Sequence, residues 1–307
     1  MNDNLSEKTG IKRYFAQRPH LVFIMPTTIV LGLLVLIPTV FLYAISMTNY
    51  EMGYSLLNVK FAGLDNYIRL FSGKDKVFWY SVQISLVFMV VTTAAELVLG
   101  YFVASLLNLR EFKLKGLVFG CLIIPIAMTP SIAGQIWKLM MNAEYGVLNY
   151  LLQLAAGMKI IWLSADMAFF SIVLIDIWQW TPYMALIIYA GLRSIPAEPF
   201  ESAKVDGANA LQNLRYITVP LLKPLLILVI LFRSMDSLKL FDIPYVLTQG
   251  GPGNKTELMS LHIFRLGFAQ TGFIGRAAAM SVVLLVIITF LSQFILKYFR
   301  NERGTAQ

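Results

Sequence analysis

The strongest constraint on this chain is a series of runs, each roughly 20 residues or longer, that carry few charges or none; such a run is long enough to cross a bilayer as a helix. In lipid every backbone polar group must be satisfied inside the segment, so these runs have to be helical; an open strand edge has no partner there. They fall at 21–48, 79–107, 116–137, 167–191, 223–247 and 277–296. The expected fold is therefore an all-α membrane protein with about six transmembrane helices. A transmembrane domain at 21–298 is flanked by tails at 1–20 and 299–307. The first run follows Lys12, Arg13 and Arg18 as a secretory signal would, but it is too long and lacks a small-residue cleavage site. Composition agrees: only 14% of residues are charged, against about 25% in a soluble domain.

Lysine and arginine in the connections set the orientation. With the N-terminus inside, Arg110, Lys113, Lys115, Arg193, Lys204 and Arg215 fall in cytoplasmic connections, together with the basic residues of both tails. The outer loops are less densely basic, so both termini are expected in the cytoplasm. The net charge of +8 follows from this topology. No basic patch is interleaved with stacking aromatics, so a nucleic-acid partner is not expected, whereas membrane lipid is. Cys121 is the single cysteine, which excludes a disulfide within the chain and a cysteine-based metal site. His20 and His262 lie far apart and read as unremarkable interfacial histidines, so no metal site is expected.

The connection at 193–222 is too long and too structured for a tether. Ser194 suits an N-cap and Pro196 a first helical turn, with Glu198 and Glu201 near the positive helix end. Ser202 and Ala203 are small enough for the helix to enter a tight cleft, and Gly207 permits the left-handed turn that ends it. Leu211, Leu214 and Ile217 then mark a second amphipathic helix leading to Pro220, Pro224 and the fifth span. By residues alone, this helix-turn-helix either serves a partner or anchors the bundle at the membrane surface.

The fifth run carries Arg233, Asp236, Lys239 and Asp242, spaced by three and alternating in sign. Residues at that spacing meet on a helix and can pair. Each isolated charge at the bilayer centre costs about 2.5–3.5 kcal/mol, whereas Leu or Ile returns about 0.3–0.6 kcal/mol. These side chains must therefore pair and face the bundle interior or water. Two readings stay open: a structural ion-pair ladder, or polar groups lining a solute path. The fourth run offers a complementary surface in Asp176, Trp178, Gln179, Trp180 and Tyr183, around Pro182. Aromatic faces suit the apolar side of a sugar ring and carboxylates or amides its hydroxyls; the alternative is aromatic packing between helices. Glu96 in the second run reads as a helix–helix contact.

Two motifs are decoys. Gly250–Thr256 reads GGPGNKT, but a phosphate-cradling loop needs glycine where Gln249 and Asn254 stand. Asp206-Gly207 suggests a metal-dependent phospho-alcohol transferase, yet no further aspartate pair follows to hold a divalent cation. An ion-driven secondary carrier is the stronger alternative, but it would need broken helices in repeated halves, and no internal repeat is evident.

The pattern Glu201-Ser202-Ala203, Asp206-Gly207-Ala208 and Ile217-Thr218-Val219-Pro220 resembles the EAA loop of ATP-binding-cassette (ABC) importer permeases. Ser202 replaces the usual alanine and Leu214 a common aromatic. The stretches 61–67 (FAGLDNY), 146–149 (GVLN) and 245–252 (YVLTQGGP) are similar to those of the carbohydrate-type permeases, specifically the maltose- and glycerol-phosphate-type first permease. The resemblance covers nearly the whole chain. It implies an ABC type I importer permease bundle, in the inner membrane of a bacterial cell, that is not an enzyme and moves a sugar, polyol or glycoside. Its implied partners are a second permease subunit, two ATP-binding-cassette ATPase subunits and a soluble solute-binding protein. ATP and Mg would sit on the ATPase, with no cofactor on this chain. Glu201, Ser202, Ala203, Asp206 and Gly207 would form the coupling surface.

Overall fold

The structure, a computed structural model, describes residues 19–55, 59–109, 114–269 and 272–303. The tail expected at 1–20 lies outside these but for its last two residues, as do Arg110, Lys113 and residues 304–307. Helices account for almost all of the described backbone: α1 Pro19–Ser46, α2 Asp65–Phe71, α3 Lys76–Asn108, α4 Lys115–Ala127, α5 Pro130–Met140, α6 Val147–Ala156 and α7 Ala168–Ser194, followed by α8 Glu198–Val205, α9 Ala210–Asn213, α10 Val219–Leu238, α11 Asp242–Leu247, α12 Met259–Phe264 and α13 Ile274–Arg303. Among the described residues there is no strand, only one isolated bridge between Thr48 and Phe61.

Five helical segments are long and apolar enough to cross a membrane, and a sixth crossing arises if α4 and α5 count as one span. Here the structure corrects the expected unbroken run at 116–137. α4 and α5 meet at 103°, because Pro130 opens α5 and disfavours helical backbone at Thr129 before it. The break frees the carbonyl of Met128, which accepts a hydrogen bond from Gln179 Nε2 at 2.9 Å. The fifth run is likewise interrupted: α10 ends at Leu238 and α11 starts at Asp242.

Three clusters of buried side chains show how the helices run. At one end Ala104 of α3, Ile188 of α7 and Leu222 of α10 pack together. Towards the other end Phe88 of α3 packs with Ile172 of α7 and Ile243 of α11. Helices α3 and α7 are therefore parallel, and α10 runs against both. The third cluster joins Phe78 and Val82 of α3 to Ala279 and Met280 of α13, so α13 runs with α3. α3 and α7 approach tightly at Gly100, where a Cβ would stand 2.7 Å from that of Met184. α1 packs on α13 at the periphery, and its large apolar side chains stay exposed, Phe23 by 82%. In a bilayer these residues face lipid; the buried surface is the interior of α3, α7, α10 and α13.

Candidate functional site

Three groups of polar residues stand out: an exposed loop at one end of the bundle, a buried cluster in its middle, and a second buried cluster at the opposite end.

The loop leaves α7 at the end marked by Ala104 and Leu222. Ser194 is the last residue of α7 and its hydroxyl donates to the carbonyl of Gly191, so it is not the N-cap expected from sequence. Ala197 occupies that position, and Pro199 rather than Pro196 lies in the first turn. Glu198 and Glu201 do stand in the first turn, where they complement the helix dipole. Ala203 faces inward, while Glu201, Ser202 and Asp206 are exposed and Val205 is 88% exposed. Gly207 ends the helix with φ of +76° and nothing within 4 Å of where a Cβ would stand. Its requirement for glycine is thus purely one of backbone. Asn209 and Gln212 then form a capping box that starts α9. The second helix of the loop continues through a π-helical stretch at Leu214–Thr218 into α10, leaving Leu211 and Tyr216 about 70% exposed. The structure brings all five expected coupling residues together around this one turn.

In the middle of the bundle Arg233 of α10 is buried. Its Nε donates to Glu96 Oε2 at 2.6 Å and its Nη2 to Glu96 Oε1 at 2.9 Å, a two-pronged pair with α3. Nη2 also donates to Asp176 Oδ2 of α7. The guanidinium carbon lies 5.2 Å from the centre of the Trp180 ring, within cation–π range. One side chain therefore ties α10 to α3 and α7. The expected ladder along α10 forms only in part. Arg233 and Asp236 stand 3.8 Å apart and Asp236 and Lys239 3.7 Å apart, with the latter two side chains about half exposed. Asp242 is cut off from them by the break between α10 and α11 and accepts from the Ser131 hydroxyl at 2.6 Å. Arginine found nearer carboxylates across the bundle than along its own helix.

The aromatic group also divides. Trp178 packs edge-on against Trp137 of α5, with ring centres 5.4 Å apart. Trp180 packs on Tyr183 and under Arg233. Asp176 Oδ1 and Gln179 Oε1 are buried acceptors without a protein partner among the described residues. The set Asp176, Gln179, Trp180 and Tyr183 thus presents acceptors beside an aromatic face.

The third group was missed. His262 of α12 was expected to be unremarkable, yet its Nε2 lies 3.1 Å from Asp75 and its Nδ1 3.2 Å from Glu257. Both nitrogens can donate only when the ring is protonated. Burial opposes that charge, but the hydrogen bonds and charges of the two carboxylates outweigh it and push the pKa up to about 9. The bond to His262 in turn holds Asp75 below its ordinary range. The other oxygen of Asp75 caps α3, accepting from the amides of Val77 and Phe78. Glu257 is buried and also takes Arg265. The segment before it is closed by Thr256, whose hydroxyl meets those of Thr248 (2.6 Å) and donates to the Gly251 carbonyl (2.9 Å). No local pattern could have revealed this, because Asp75 and His262 are 187 positions apart.

Comparison with known proteins agrees with this architecture. The family described as "Binding-protein-dependent transport system inner membrane component" matches residues 96–301. The chain is 34% identical to the trehalose/maltose transport system permease protein MalF of Thermococcus litoralis, over 99% of this chain and 100% of that one. It is 33% identical to the sulfoquinovosyl glycerol transport system permease protein SmoG of Agrobacterium fabrum, over 92% and 90% respectively. Among solved structures, a chain of a bacterial alginate ABC transporter shares the fold with a TM-score of 0.75 at 18% identity, covering 91% of this chain and 93% of that chain.

Proposed function

The chain belongs to the binding-protein-dependent transport system inner membrane components, the permeases of ABC importers, and from that premise we propose that it conducts a sugar, polyol or glycoside. Relatives whose names state a cargo include permeases for trehalose or maltose, for sulfoquinovosyl glycerol and for lactose, all rich in hydroxyl groups. Under this reading the chain lines the pathway with a second permease subunit, and a solute-binding protein delivers the cargo. Two ATPase subunits grip the complex from the cytoplasm, one of them seating α8, and both termini lie on that side as well. When the ATPases close on ATP, they move α8 and with it α7 and α10, and the bundle turns from inward- to outward-facing. Coupling of this kind needs a two-state element biased from both ends, and α7 and α10, joined both by the loop and by Arg233, form one continuous body for it.

The observation that carries the proposal is the loop itself. A short helix projects from the bundle with exposed Glu201, Ser202 and Val205, and ends in a turn that only glycine adopts freely. An element that only packed the bundle would bury those side chains against neighbouring helices, and one that only anchored in lipid would not group exposed Glu201, Ser202 and Asp206 around one turn. Asp176, Gln179, Trp180 and Tyr183 are proposed to line the solute path; Arg233 holds Asp176 and Trp180 in place. Asp236, Lys239, Asp242 and Trp178 lie outside that group.

The test is Gly207→Val in the purified complex reconstituted with its ATPase and binding protein. A β-branched residue at positive φ is strained by about 1–3 kcal/mol, and the open space around Gly207 leaves no steric clash to confuse the result. Uptake should fall and ATP hydrolysis should lose its response to cargo, while the bundle remains inserted. Normal cargo-stimulated hydrolysis and uptake would refute the coupling role. Single cysteines at Ser72 and Asn254 in a Cys121→Ala background should react with an impermeant maleimide from outside, and one at Gln212 should not. Labelling from the opposite sides would move α8 away from any cytoplasmic ATPase.

A further inference from the structure

At the end of the bundle opposite α8, a cleft of about 370 Å³ lies between α2, the start of α3 and the start of α13. Arg69, Lys74, Lys76 and Arg276 line it, together with Asn66 and a single carboxylate, Asp75. That carboxylate is already engaged, accepting from the amides that open α3 and facing His262 at 3.1 Å. Among the described residues no salt bridge reaches Arg69, Lys74, Lys76 or Arg276. Arg276 instead stacks on Phe273 at 3.8 Å. Four cations thus converge on one cleft whose single carboxylate is engaged, while Glu51 and Asp65 line the adjoining cavity that shares Arg69, Lys74 and Arg276. Such a site favours an anion with several acceptor oxygens.

Its depth identifies the source of that anion. Lys76 is the first residue of a spanning helix, and Trp79 and Tyr80 stand exposed within the next turn (45% and 37%). Exposed Trp and Tyr on a spanning helix mark the headgroup level of a bilayer. α2 and its N-cap residue carry Leu64, Ile68 and Phe71 on one exposed stripe, each more than half accessible. A short helix with such a stripe beside a spanning bundle lies in the interface, its apolar side in the acyl boundary. The cationic cleft and the apolar stripe therefore sit side by side at the depth where a phospholipid presents a phosphate above its chains.

We propose that this cleft holds the phosphate of an anionic phospholipid, with its acyl chains along the exposed face of α2. The lipid bridges α2, α3 and α13 where the cations would otherwise repel one another. The proposal rests on the chain spanning a membrane and not on the identity of the cargo or on coupling through α8.

The experiment is native mass spectrometry of the detergent-purified importer complex incubated with phosphatidylglycerol or phosphatidylcholine. The wild-type complex should retain phosphatidylglycerol preferentially. Each Lys or Arg near an anionic lipid surface contributes a factor of about five, so Arg69→Gln with Arg276→Gln should cut that preference at least about tenfold. Should that variant fail to assemble, Lys74→Gln with Lys76→Gln, both at exposed positions, carries the same test. Inorganic phosphate at millimolar concentration should not displace the lipid, because it lacks the chains. Retention equal in variant and wild type would overturn the proposal. So would displacement by inorganic phosphate, which would assign the cleft to free anions. Unchanged lipid retention with weakened affinity for the solute-binding protein would assign it instead to carboxylates of that protein. Retention is read without transport, so a failed uptake assay leaves it intact.

Discussion

Two buried charge clusters hold this bundle, and they are built on different cations. In the middle, Arg233 pairs with Glu96 and Asp176, each from a different spanning helix. Near the end opposite α8, His262 sits between Asp75 and Glu257, with Arg265 also on Glu257. A guanidinium keeps its charge at any accessible pH and offers a fork that fits carboxylates from two sides. At mid-membrane depth, losing that charge would leave two buried acids without a cation. Imidazole can lose its proton, and it is found where loops and helix ends meet water. The difference is one of permanence: the deep cluster is a fixed joint, and the outer one is a joint that pH can open.

The largest expected effect comes from breaking the deep joint. Arg233→Met leaves Glu96 and Asp176 buried and unpaired, at about 3–5 kcal/mol for the loss of one partner of a buried pair. Complex yield should collapse. Replacing Glu96 and Asp176 by leucine in the same chain should restore much of the yield, since the buried acids would be gone. Rescue of assembly without uptake would support the path role of Asp176, and rescue of both would end it.

Removing the outer cation should cost less. After His262→Ala, Glu257 keeps Arg265 and Asp75 keeps its two amides, so the loss is about 1–3 kcal/mol, as for a buried group deprived of one hydrogen bond. The melting temperature of the complex reads it, and a fall as large as that of Arg233→Met would erase the distinction between the clusters.

pH sharpens the comparison further. The pKa of His262 is raised from 6.5 to about 9, so the stability it contributes is complete below 6.5 and lost as pH rises through about 9. The melting temperature should therefore fall between pH 7 and 10 in wild type, with a smaller fall in His262→Ala. An identical fall in both would show that His262 is not the group responsible. Asp75 acts at the other limit: its pKa is lowered, so its contribution is present above the ordinary carboxylate range and lost in acid.

The smallest effect belongs to the outlying pair. Asp236 and Lys239 are about half exposed at 3.7 Å, and pairs of that kind contribute about 0–1 kcal/mol. Lys239→Gln should leave yield and melting temperature almost unchanged. A large loss would mean that these residues are covered in the assembled complex.

Much of the architecture was legible in the sequence. The apolar runs announced the spanning helices, because length without charge has one stable form in lipid. Gly207 announced its turn, because φ of +76° is open to glycine without strain. The Pro130 break was not foreseen, although proline stood in the run, because apolar length alone hides a bend. Ser194 misled for a related reason: a residue able to cap a new helix instead ended the old one, since Ile195, placed before Pro196, takes extended backbone and stops α7 there.

What the sequence by itself determined is local: which segments must be helical, where glycine or proline interrupts them, and that their charges could not face lipid. Only the tertiary structure decided which charge meets which. The i,i+3 spacing along α10 offered Arg233 a neighbour in Asp236, but two carboxylates on facing helices lie closer, and a buried guanidinium pairs where it is best enclosed. Glu96 is 137 positions from Arg233 and Asp75 is 187 from His262. Nothing in the local pattern encodes such separations. Helix packing brings these groups together, and burial leaves the charges no alternative but one another.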